Sequence, residues 1–167
     1  MRSAPAEPAA PAATLHARLG AREAGRLVLM EDCCALIETQ AVSGRGLRAA
    51  TVRASYRSVQ KLKPGLVGYV VGKFMPRVLE ALEPWWERAQ VEAAANGGDT
   101  EGALRKALEG DANRAADALL AVTDAHIRGA RLPLRVAYKS VRGEADQPVR
   151  DAVPGLAAVF EKHLRRG

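Results

Sequence analysis

A chain of 167 residues that is 48% apolar but only 4% aromatic can bury a core of ordinary domain size, built mostly from Leu, Val and Ala. Its formal charge of +6 and pI near 9.7 bear on partners and solubility rather than on fold, and point to anionic partners. The adjacent pair Cys33-Cys34 argues against a secreted disulfide scaffold, the N-terminus shows no apolar signal region, and no run of about 18 apolar residues offers a membrane span, so a cytoplasmic protein is the default expectation.

In chain order, residues 1–13 form a Pro/Ala tail with nothing to bury, predicted to stay disordered because it cannot offset its ordering entropy. Thr14 can cap a short helix that places Leu15 and Leu19 on one face and stops at Gly20. Apolar residues at helical spacing, Leu29, Cys33, Leu36 and Ile37, predict a helix from about Arg22 to Ala41, ended by Ser43-Gly44-Arg45-Gly46. The next helix, about Leu47 to Leu62, buries Val52, Tyr56 and Val59, and Lys63-Pro64-Gly65 stops it.

From Leu66 onward, Val67, Val70, Val71, Phe74 and Val78 mark one helical face. Pro76 stands where a new helix could start, and Pro84 allows a kink or a further start. Trp85 and Trp86 cannot point the same way on a helix, which predicts one in the core and one partly exposed. Gly65, Gly68 and Gly72 read as small residues that let a neighbouring helix approach.

Asn96-Gly97-Gly98-Asp99 is the clearest loop. After it, Asp99 or Thr100 caps a helix to Leu108, and Asp111 caps another to about Arg128 that buries Leu119, Leu120, Val122, Thr123 and Ile127. Gly129 closes that helix, Pro133 opens the next, Gly143 interrupts it, and Pro154 opens a last helix with Leu156, Val159, Phe160 and Leu164 inward. No alternating apolar/polar run is present, so no sheet is expected.

One stretch occurs twice. Val52-Arg53-Ala54-Ser55-Tyr56-Arg57-Ser58-Val59 returns as Leu134-Arg135-Val136-Ala137-Tyr138-Lys139-Ser140-Val141, and Pro76 to Glu83 is echoed by Pro154 to Glu161. A fainter echo precedes each copy, Leu36 to Gln40 against Leu120 to Asp124. The expected architecture is therefore an all-α, compact helical bundle of two degenerate helical repeats related by an approximate internal two-fold. Residues 14–95 make the first half, 96–99 the loop and 100–167 the second half of one compact domain.

Ser43-Gly44, Val52 to Val59, Lys61 to Gly65, Leu79 to Trp86, Asp117 to Asp124 and Ala137 to Gly143 together resemble a family of small all-helical proteins of unknown function from high-GC bacteria. The resemblance covers most of residues 20–164 and implies that the helical unit is real, but it implies no activity. The chain departs from the family pattern in its Pro/Ala tail and in Cys33-Cys34.

Charge placement carries the strongest functional signal. No acid stands between Glu38 and Glu80, whereas Arg53, Arg57, Lys61 and Lys63 are among eight bases there. Between Asp124 and Glu144 the pattern recurs with Arg135, Lys139 and Arg142. Arg53, Arg57 and Lys61 lie on one helix face, where like charges repel by a few tenths of a kcal/mol per pair. A partner for that charge is either an acidic surface of the same chain, which is the plainer reading, or an external acidic protein, nucleic acid or anionic lipid.

Tyr56 and Tyr138 read most simply as core residues whose hydroxyls reach a polar partner at the bundle seam; a sharper reading makes them a symmetric pair lining a shared pocket, with Arg53 and Arg135 nearby to hold an anion. Cys33-Cys34 reads as a buried thiol beside a partly exposed one. His16, His126 and His163 have no metal-ligand spacing, no phosphate-cradling glycine loop or nucleophile elbow is present, and no cofactor is implied. The expectation is a non-catalytic interaction or adaptor protein with a basic face for an acidic partner. The alternatives are binding of nucleic acid or an anionic membrane surface, and binding of a small apolar or amphipathic ligand between the halves.

Overall fold

A computed structural model describes residues 13–20, 22–43, 47–129 and 131–166, and the backbone alone at 47–49, 52, 55, 59, 62, 133–134, 137 and 140–141. Seven helices and no strand occur among the described residues: α1 (Leu15–Gly20), α2 (Glu23–Ser43), α3 (Leu47–Leu62), α4 (Leu66–Asn96), α5 (Thr100–Gly110), α6 (Ala112–Arg128) and α7 (Leu132–Leu164). The tail predicted over 1–13 lies outside the described residues except at Ala13, as do the Gly44-Arg45-Gly46 turn and the side chains of Val52 and Val59.

Local signals set most boundaries. The Thr14 hydroxyl accepts from the Ala17 amide at 3.1 Å, and the Asp99 carboxylate accepts from the Gly102 amide at 3.1 Å, each satisfying an amide that the first helical turn leaves open. Gly97, at φ 61°, ends α4 in the left-handed conformation that side chains resist. Asp111 precedes α6 but does not cap it through its side chain; its carboxylate is taken by Arg88 at 2.9 Å instead.

Two expected breaks are absent. α4 runs unbroken through Pro76 and Pro84, and α7 runs through Gly143, Pro148 and Pro154. Pro76, Pro84 and Pro154 sit on exposed faces, so the carbonyl each deprives of its amide partner can take water. At Gly143 the cost is only about 1 kcal/mol relative to Ala, and the Arg142–Asp146 pair bridges that turn at 2.6 Å.

α4 and α7 are the frame. Each packs against α1, α2, α5 and α6, whereas α3 packs mainly on α2 and, less, on α4 among the described residues. The buried residues Val153, Ala157, Phe160 and Leu164 of α7 repeat the spacing of Met75, Leu79, Leu82 and Trp86, four of the seven buried residues of α4. Leu15, Leu19, Leu29, Leu104 and Leu108 fill the space between; each such side chain contributes about 1.5–3 kcal/mol on burial.

Both tryptophans are buried, Trp85 at 6% and Trp86 at 2% exposure, where one was expected outside. The reason is the covering chain. The Ala13 carbonyl accepts from Trp86 Nε1 at 2.7 Å and from Gln90 at 2.9 Å, so α1 lies over this part of α4, and the Arg88 guanidinium stacks 5.6 Å from the Trp85 ring.

Of the three glycines read as a packing row, only Gly72 is approached: a Cβ there would come within 2.6 Å of Met30 Cε on α2. Gly68 faces open space, and Gly65, at φ 81°, forms the turn into α4. On the other side of α2, a Cβ at Gly155 would meet Leu36 Cδ1 at 2.5 Å. α2 is thus seated against glycines of both α4 and α7.

Candidate functional site

Several stripes expected in the core do not close on one another. Leu36 on α2, Val71, Phe74 and Val78 on α4, and Leu119 and Thr123 on α6 are half-buried, and Ile37 and Val70 are exposed. With Pro148, Val149, Ala152 and Leu156 of α7 and Tyr56 of α3 they line a groove of about 440 Å³. Its wall is nearly all hydrocarbon. Gln40, Tyr56, Thr123, Cys33 and Met75 supply the polar or polarisable side-chain atoms, and Phe74 is fixed edge-on to His126 with ring centroids 4.9 Å apart.

Tyr56 is half-buried in this wall, and its hydroxyl accepts from Gln60 Nε2 at 2.8 Å, one turn along α3. Cys33 is buried and Cys34 half-buried, both free. Burial pushes the Cys33 thiol up to about 12, with the neighbouring Cys34 and Asp32 adding to the shift; burial raises Cys34 as well.

The neighbouring face of α6 borders a different concavity. Ala121, Asp124, Ile127 and Arg128 of α6 face Arg135, Tyr138, Lys139 and Arg142 of α7 across an open pocket of about 570 Å³. At its base Tyr138 donates to Asp124 Oδ1 at 2.7 Å. Arg142 grips both oxygens of Asp124, at 2.8 and 3.1 Å, and reaches Asp146 at 2.6 Å. The Arg142 guanidinium and then the Tyr138 hydroxyl hold the Asp124 carboxyl below its ordinary range, while burial, and next the Asp124 contact, pushes the Tyr138 phenol up.

The predicted site residues therefore separate into groups. Arg135, Lys139 and Arg142 come together around one pocket, joined by Arg128. Arg53, Arg57, Lys61 and Lys63 line neither concavity; Arg53 is half-buried, and Arg57, Lys61 and Lys63 are exposed. The two tyrosines occupy different pockets on adjacent faces of α6, with Thr123 lining the groove and Asp124 the other pocket.

Sequence reasoning offered Asp124 among the acidic groups of the same chain that could meet the basic runs, but not its specific pairing with Arg142, although Asp146 at i+4 was a visible signal for the second pair. It also missed Asp32, which takes Lys162 Nζ and His163 Nε2 at 2.7 Å each and ties α2 to the end of α7. Nothing local marks a pair so far apart in the chain. Among the described residues no group of three His, Cys, Asp or Glu side chains could hold a metal, and no helix is long and apolar enough to cross a membrane.

The fold and these concavities define an all-helical bundle with an apolar groove and, one helix face away, a pocket rich in arginine and lysine. The chain belongs to the family of unknown function DUF6918, matched over residues 15–164. No curated protein and no solved structure matches it.

Proposed function

We propose that this protein binds a small apolar or amphipathic ligand in the groove between its two helical halves, without catalysing a reaction on it. The observation that carries this reading is the groove itself: about 440 Å³, within the range of small-molecule sites, walled by aliphatic and aromatic side chains from five helices. Ile37 and Val70 are 40% exposed at this wall, and covering such surface is favourable by about 25 cal/mol per Å². Tyr56, Gln40 and Thr123 supply the few polar contacts that would orient a ligand.

The test is thermal denaturation with dodecanol and dodecanoate. A ligand at 100 times its Kd stabilises the folded state by about 2.7 kcal/mol. The expected result is a saturable rise in Tm that is lost in a groove-filling Val149→Trp variant with an unchanged circular dichroism spectrum. No shift with either compound, or an equal shift in the filled variant, would reject the reading.

A second reading rests on a separate observation. Arg57, Lys61 and Lys63 are exposed and make no ion pair among the described residues, which favours an external acidic protein over internal neutralisation for this stretch. Binding should weaken with salt; a log K against log[salt] slope of several units on random DNA would favour nucleic acid instead, and retention on acidic liposomes an anionic membrane. A cytoplasmic location suits either reading.

The two halves themselves are part of the proposal: α1–α4 and α5–α7 as copies of one unit, with α7 equivalent to α3 and α4 joined. Three observations support it. Four buried positions of α4 share the spacing of the four in α7, α4 and α7 pack against the same four helices, and Thr39 and Thr123 each bond back to the carbonyl four residues before. Inserting Leu-Lys-Pro-Gly after Arg142, to imitate the α3–α4 turn, should then leave the protein folded with a small loss of Tm. Global unfolding on insertion would oppose the duplication.

A further inference from the structure

We propose that Arg128, Arg135 and Lys139, arranged around the Tyr138–Asp124–Arg142 network, form an oxyanion site that takes a phosphate or carboxylate group. The site is distinct from the apolar groove and does not require the groove to bind anything.

The argument begins with the one acid in the pocket. Asp124 would repel an anion if its charge were free, but three donors occupy it: the Tyr138 hydroxyl on Oδ1, and Arg142 Nε and its terminal nitrogen on the two oxygens. A carboxylate so engaged is already neutralised at short range, and the same bonds lock Arg142 in place through a second carboxylate, Asp146. The network is scaffolding: it fixes α6 against α7 and sets the distance between the helices that carry the remaining cations.

Those cations are left over. Arg128, Arg135 and Lys139 line the same pocket, are exposed, and form no ion pair among the described residues. Arg135 and Lys139 stand four apart on α7, a spacing at which like charges repel, and Arg128 faces them from the last turn of α6. Converging guanidinium and ammonium groups in a concavity provide donors from several directions, which suits a tetrahedral phosphate or planar carboxylate. A pocket of about 570 Å³ has room for a small molecule bearing that group.

The same chemistry could come from free phosphate or from the head of an amphiphile whose tail enters the groove. The two concavities abut at α6, where Thr123 lines the groove and Asp124 the pocket.

The experiment is isothermal titration of the full chain at low ionic strength with inorganic phosphate and with dodecyl phosphate. It compares wild type, the double variant Arg135→Gln/Lys139→Gln, and a control, Arg57→Gln/Lys61→Gln, that removes the same charge from α3. The expected result is saturable binding of at least one probe, weakened about tenfold or more by the first double variant and little changed by the control, since one charge-assisted contact accounts for about a factor of ten. Binding of inorganic phosphate identifies a free-phosphate site; binding of dodecyl phosphate alone identifies a head-group site. Both outcomes support the proposal. Absence of binding by both probes, or equal weakening in both double variants, would overturn it. Phosphate binding that persists in Val149→Trp keeps this site even if the groove reading fails.

Discussion

Tyr56 and Tyr138 stand in near-identical sequence and do different work. The Tyr138 hydroxyl donates to a carboxylate that also holds Arg142, whereas the Tyr56 hydroxyl accepts from a neutral amide on its own helix. A hydrogen bond to a charged group contributes about 1.5–3 kcal/mol when shielded, less where water reaches it, and a neutral one about 1 kcal/mol. Tyr138→Phe is therefore expected to lower stability by about 1 kcal/mol, and Tyr56→Phe by about half of that or less, in urea titrations. Equal losses would mean that Asp124 does not depend on the phenol. The cysteines make a second contrast at this scale. Burial holds the Cys33 thiol near 12, so the thiolate that reacts is scarce at pH 8. A thiol reagent added to native protein should modify Cys34 slowly and Cys33 only on unfolding, with Cys34→Ser abolishing the native-state reaction.

At the level of elements, helix existence was legible in the sequence and helix length was not. The caps at Thr14 and Asp99 and the stops at Gly65, Gly97 and Gly129 are local chemistry, and they stand where the residues put them. Pro76 and Pro154 were read as starts, and Pro84 as a kink or a further start, because a proline removes one helical bond; whether the freed carbonyl then finds water depends on which face is outward, and tertiary packing decides that. The groove was illegible for a related reason. Apolar periodicity identifies a face that avoids water, as at Leu36, Phe74 and Leu119, but cannot tell a face that closes on a neighbour from one that stops short of it. The basic runs were visible as composition, while the pairing of Arg142 with Asp124 needed α6 and α7 side by side. If Pro84 is tolerated rather than required, Pro84→Ala should restore a helical bond in α4. The gain from that bond, up to about 3 kcal/mol in an ordinary helix, is reduced by the extra freedom of the unfolded chain, leaving a rise of about 1–2 kcal/mol by chemical denaturation. A fall in stability would show that the proline sets the course of α4.

Across the whole molecule, carboxylates tie α1 and the last turns of α7 to the helices around them. Asp99 and Glu161 meet Arg165, Glu161 also meets Arg105, and Glu101 meets Arg18, whose guanidinium reaches the Leu164 carbonyl. Asp32 joins α2 to α7 and Asp124 joins α6 to α7. Their cationic partners lower Asp32, Asp99, Asp111, Asp124 and Glu161, Asp99 to about 2 through Arg165. Each such group binds fewer protons folded than unfolded. Its contribution is present above the ordinary values of 3.8 for Asp and 4.5 for Glu and is lost as pH falls through the lower folded value. Glu83 has the opposite sign: burial raises it, so its ionisation opposes folding, and its contribution is present below 4.5 and lost as pH rises through the folded value. With five lowered groups against one raised, Tm should be nearly flat above pH 5 and fall steadily toward pH 2. Glu83→Gln keeps an acceptor for the Leu15 amide, which Glu83 now holds at 2.9 Å, while removing the half-buried charge. Relative to wild type the variant should therefore gain near pH 7 and lose that gain near pH 3, where the wild-type carboxyl is already neutral. A difference between the two proteins that does not change with pH would place the role of Glu83 in its shape and hydrogen bonding alone, and a wild-type Tm that climbs on acidification would reverse the sign assigned to the five ion pairs.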